Sequence, residues 1–244
     1  MKRWGRRRRW RFSPNEMGPT RMKYAEYTPD TVCNAMGLPA FRDEASLNGM
    51  GPSMRLLLEP SFHPEVCITM KRAESTSVVE VRALGSSLWQ WNAPAPLPTA
   101  FTEQFAVGSD KMEAFAAAFL QVADSMQQEG IGKWTTLDGM PAAVVLRSSG
   151  HLRELEGNVS GHAVFGQFVA TVLEWVHGNL PGGVCRNAVA AAGAYVDLHL
   201  PVEPMPAQSA VVRVVMLGDE EGKREVVDRL NREQPRRRNA SRGS

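Results

Sequence analysis

The residues best placed for chemistry stand around His63, in Pro60-Ser-Phe-His-Pro64, with Ser61 two positions before it and Cys67 four after. Imidazole beside a hydroxyl or thiol is the pairing that nucleophilic catalysis uses, one group taking a proton as the other attacks. On that reading the chain is a small hydrolase-like enzyme with His63 as its catalytic candidate. No base-orienting carboxylate or nucleophile motif accompanies the histidine, and there is no Gly-x-Ser-x-Gly elbow. The structural alternative outweighs it: a histidine whose ring hydrogen-bonds a carbonyl and fixes a corner between two prolines.

Metal and phosphate chemistry find less support. His63 and Cys67 are four apart but straddle Pro64, so they do not share a helix face, while His151, His162, His177 and His199 are scattered singly. Gly218-Asp-Glu-Glu-Gly-Lys-Arg224 imitates a phosphate loop. It is one residue short, has arginine where a hydroxyl should hold magnesium, and would turn three carboxylates toward the phosphates. No metal and no cofactor is expected.

The N-terminus mixes cations with aromatic rings: Lys2, Arg3, Trp4, Arg6, Arg7, Arg8, Arg9, Trp10 and Arg11. Guanidinium groups pair with phosphates and indoles stack on bases, so weak, non-specific nucleic-acid association is one expectation. A solvated tail is the competing one. The charge balance favours the tail. Residues 1–12 hold seven cations and residues 235–244 four, which leaves 17 basic against 26 acidic side chains elsewhere, a net of −9. The body should repel a polyanion. Deleting residues 1–12 is therefore expected to abolish retention on a polyanion column; retention by the truncated chain would expose a missed basic surface.

Trp89 and Trp91 share a face if Ser87–Trp91 is a strand, and packing against neighbouring elements is favoured over stacking on a ligand. Three cysteines without a Cys-x-x-Cys pair point to a reducing compartment. No apolar run approaches the ~20 residues of a membrane span, and the polar, proline-rich sequence after Arg9 does not suit an export signal. The expected location is the cytoplasm.

The elements that must position these residues follow from periodicity. Val66, Ile68 and Met70 alternate with polar partners, as do Val79, Val81 and Ala83, which predicts a hairpin across Glu74–Ser77. Leu56–Leu58 reads as a third strand. Met112, Phe115, Ala116, Phe119, Leu120, Ala123 and Met126 form one helical stripe over Asp110–Glu129. Val164, Phe165, Phe168, Val169, Val172, Leu173 and Val176 form another over Ser160–His177. Asp138-Gly139 between Trp134–Leu137 and Ala142–Leu146 predicts a second hairpin with a type I′ turn. Val196, Leu198 and Leu200 suggest a strand, Ala210–Leu217 another, and Asp219–Arg232 a charged helix.

Arg55-Leu-Leu-Leu-Glu-Pro-Ser-Phe-His63, Leu137-Asp-Gly139 and Gly150-His-Leu-Arg153 resemble the recurrent features of a group of uncharacterised bacterial proteins. The resemblance spans residues 54–177 and implies no activity, cofactor or partner. The expected architecture is α+β: an antiparallel meander with two amphipathic helices on one face, plus a small C-terminal β-β-α segment. The expected organisation is a basic, Pro/Gly-rich tail or irregular cover (1–53), a core domain (54–180), a C-terminal extension (181–234) and a basic tail (235–244). The function expected first is a non-catalytic interaction or accessory domain with a protein partner.

Overall fold

A computed structural model of the chain describes residues 27–48, 51–72, 76–88, 97–129 and 139–204. All lie within one unit, Met1–Met205. Residues 1–12, Trp89, Trp91, Trp134–Leu137, Ala210–Leu217 and Asp219–Arg232, on which several expectations fall, are outside the described residues.

The fold is α+β. Six antiparallel strands form one sheet: β1 (Ser53–Leu58), β2 (Val66–Arg72), β3 (Thr76–Leu84), β4 (Ala100–Gly108), β5 (Pro141–Ser148) and β6 (His151–Asn158), in the order β4-β3-β2-β1-β5-β6. The first four form a meander. Helix α2 (Ser109–Glu129) then carries the chain from the β4 edge back to β5, beside β1.

The period-two residues of β2 and β3 pair as their alternation requires, Ile68 with Val81 and Met70 with Val79. With Met54, Leu56, Val144 and Leu146 they line one face of the sheet. Three helices cover it: α2, α3 (Ala163–Asn179) and α4 (Val184–Gly193). Phe119 of α2 is fully buried, its ring centroid 6.0 Å from that of Phe168 of α3. Arg72 pairs with Glu113, tying β2 to α2.

The opposite face is covered too, in part. Helix α1 (Pro29–Ala35), capped by the Thr28 hydroxyl, and a 3-10 turn at Glu44–Leu47 bury Val32, Cys33, Met36, Phe41 and Leu47 against Leu57, Cys67, Ala143 and Val145. Strand β1 therefore has no solvent face, and all six of its residues are buried. Short turns with no repeating period make this cover, which is why no alternation announces it.

Three local expectations need correction. The Asp138-Gly139 hairpin does not form around β5, because β1 and β6 occupy both edges of that strand. The two-residue hairpin turn is instead Ser149-Gly150, joining β5 to β6. Both residues have positive φ, 51° and 78°, as a type I′ turn demands. Helix α3 starts at Ala163 rather than Ser160, since Ser160 lies in a 3-10 turn whose backbone N–H bonds the Asn158 side chain. The C-terminal alternation is not a strand. Ala194–Val196 form a 3-10 turn after α4, and Tyr195, Val196 and Leu198 pack against the helix-covered core. Among the described residues the sheet thus carries three helices on its main covered face, against the expected two.

Candidate functional site

The prolines make the β1–β2 connection a stiff corner, and the structure shows what that corner grips. The Ser61 hydroxyl donates to the Gly139 carbonyl at 2.7 Å and accepts the Gly139 N–H at 3.1 Å. The Ser61 N–H also bonds that carbonyl, at 3.1 Å. The Tyr195 hydroxyl accepts the Phe62 N–H and lies 3.1 Å from His63 Nδ1, the two rings meeting edge to face at 5.7 Å. Every polar group of Ser-Phe-His named here is engaged in joining three parts of the chain that are remote in sequence. Phe62 itself points outward, 61% exposed. Cys67 does not join His63; it is buried with Cys33 under α1. Cys33, Cys67 and Cys185 are all free thiols.

Carboxylates flank the corner. Glu65 is fully buried at the start of β2. It accepts the Tyr27 hydroxyl at 2.7 Å, the Ser87 hydroxyl at 3.4 Å and the Leu88 N–H on both oxygens at 3.0 Å. Burial pushes its pKa up, and those hydrogen bonds oppose the shift. Glu59, at the end of β1, has its pKa pushed up to about 7, first by burial and then by the charges of Glu65 and Glu156. Neither carboxylate is bonded to His63 in the structure, so they do not complete a base-orienting pair with it. Among the described residues no group of three His, Cys, Asp or Glu side chains is placed to hold a metal ion, and no helix is long and apolar enough to cross a membrane.

A second constellation, which sequence reasoning missed, lies on the cover face where α1 stops. Register places Arg55, Thr69, Glu80 and Gln104 in one row across β1 to β4. Lys71 stands one row to one side and Arg82 one row to the other. Together with Leu38, Pro39, Ser46 and Val78 they line a pocket of about 300 Å³. Arg55 is 1% exposed. One of its terminal nitrogens donates to the Ala40 and Phe41 carbonyls at 2.9 and 3.1 Å, the other to the Ser46 hydroxyl at 2.9 Å. Its Nε–H, itself buried, has no acceptor among the described residues. Glu80 is held by Arg82 Nε at 2.8 Å and by the Gln104 amide at 2.6 Å. The available signal was an arginine inside the apolar run Met54–Leu58, a position that needs partners from elsewhere in the chain.

No protein-family model, curated protein or solved structure matches the chain.

Proposed function

We propose that this chain is a non-catalytic interaction domain. The observation that supports this reading is the clasp at Ser61–His63. Ser61 both donates to and accepts from Gly139, which leaves its hydroxyl proton committed to a backbone carbonyl rather than to a base. His63 faces a tyrosine hydroxyl through Nδ1 rather than a carboxylate. A nucleophile needs a base in reach, and a base needs an orienting partner. Here those groups instead hold a rigid corner that presents Phe62 to solvent, a suitable anchor for a partner surface.

The test is a panel of ester, amide, phosphoester and glycoside substrates offered to wild type, Ser61→Ala and His63→Ala. The expected result is no turnover that depends on either residue, together with a stability loss of about 1 kcal/mol for His63→Ala, the worth of one hydrogen bond. Turnover by wild type that disappears in either folded variant would replace this reading with the hydrolase one.

A further inference from the structure

We infer that the pocket lined by Arg55, Lys71 and Arg82 binds a small organic dianion, a phosphomonoester or a dicarboxylate. This site is separate from the Ser61–His63 corner, and the inference is independent of the function proposed for that corner.

Arg55 is buried, and the groups it bonds are two backbone carbonyls and a hydroxyl, all neutral. A guanidinium does not shed its proton, so its full charge remains in the fold with one N–H unsatisfied. Burying a charge without a counter-charge is costly, and such groups are ordinarily paired. Lys71 lines the same pocket and forms no ion pair with any described residue. The carboxylate present, Glu80, is occupied by Arg82, and that pair is close to neutral. Two positive charges remain unanswered on one pocket wall.

Size and lining narrow the ligand. A cavity of about 300 Å³ exceeds what a bare oxyanion fills and falls at the lower end of the range for small-molecule sites. Leu38, Pro39 and Val78 supply an apolar wall for an organic body. The Lys71 ammonium is the donor that lines the pocket and can meet acceptor oxygens directly, while the buried Arg55 guanidinium contributes its charge from behind the wall. A phosphomonoester carries a charge of about −1.5 to −2 at neutral pH and three strong acceptors. A dicarboxylate matches the same charge. A neutral ligand would leave both cations unpaired.

Isothermal titration of the full chain at fixed ionic strength decides the matter, with phenyl phosphate and succinate as dianions and acetate and glycerol as controls. Saturable binding of one or both dianions is expected, with acetate weaker and glycerol absent. Phenyl phosphate alone would assign a phosphomonoester site, and succinate alone a dicarboxylate site. Lys71→Met should weaken binding about tenfold or more, the cost of one charge-assisted hydrogen bond, without changing the thermal midpoint. Arg55→Met should abolish binding, but it also strips donors from the Ala40 and Phe41 carbonyls, so Lys71→Met is the deciding variant. The basic N-terminal residues are present in both proteins and cancel in the comparison. Absence of saturable dianion binding to wild type, or binding that Lys71→Met leaves unchanged, overturns the inference.

Discussion

Replacing Phe119 by alanine is expected to destabilise the protein by about 3–5 kcal/mol, the range for truncating a fully buried phenylalanine. The side chain has no solvent exposure and sits at the centre of the α2 stripe. It packs on Phe168 of α3, and the same core contains Ile68 and Val81 from the sheet. Truncation removes the ring's contacts with both layers and leaves a void that close-packed neighbours fill only in part. A loss of this size is a large fraction of the stability of an ordinary domain. Urea denaturation of wild type and variant measures it directly. A shift below about 1 kcal/mol, typical of surface substitutions, would mean that α2 does not cover the sheet through this face.

Stability should also fall as pH rises through the Glu59 titration. The folded chain holds this carboxyl's pKa near 7, against an ordinary value of 4.5. Below 4.5 both folded and unfolded states are protonated, and the stability is fully present. Between 4.5 and 7 the unfolded chain releases a proton that the folded chain retains, so each step up in pH favours unfolding. Above 7 both states are ionised and the loss is complete. At about 1.4 kcal/mol per unit, reduced because Glu59 is not fully enclosed, the loss amounts to about 2–3 kcal/mol. Glu65 and Glu156 are shifted in the same direction by burial, so wild type alone does not isolate Glu59. The difference between wild type and Glu59→Gln does: it should grow by that amount from pH 4.5 to 7.5. A flat difference would show that Glu59 is solvated in the folded state.

The parts of the fold legible in the sequence are those whose residues alternate or recur against a single covering layer. The β2–β3 hairpin and the stripes of α2 and α3 are such elements, and each lies close to its expected place. Strand β4 was hidden because it lies at a sheet edge and is half exposed along its length, with Glu103 interrupting the inward series Phe101, Phe105 and Val107. Helix α4 was hidden because alanines fill much of it, and because it follows Gly182 and Gly183, whose φ values of 130° and 93° mark a turn rather than a helix start. The pairing expected across Asp138-Gly139 fails for β5 because β1 and β6 fill both of its edges, and edge occupancy is not local information.

The candidate sites divide along the same line. His63 and Ser61 were visible because proline brackets them, and their roles became clear only when Gly139 and Tyr195, far along the chain, arrived beside them. The Arg55 pocket needs strands β1 to β4 in register and a cover that stops short of Lys71. No single segment contains that arrangement.

If the Ser-Phe-His corner is a structural clasp, His63 and Tyr195 stabilise the fold jointly. A double-mutant cycle between His63→Ala and Tyr195→Phe, read as unfolding free energy in urea, tests it most directly. The contact between His63 Nδ1 and the Tyr195 hydroxyl predicts a coupling of about 1 kcal/mol, the net worth of one hydrogen bond. Strict additivity of the two substitutions would contradict the clasp and leave the histidine free for another role.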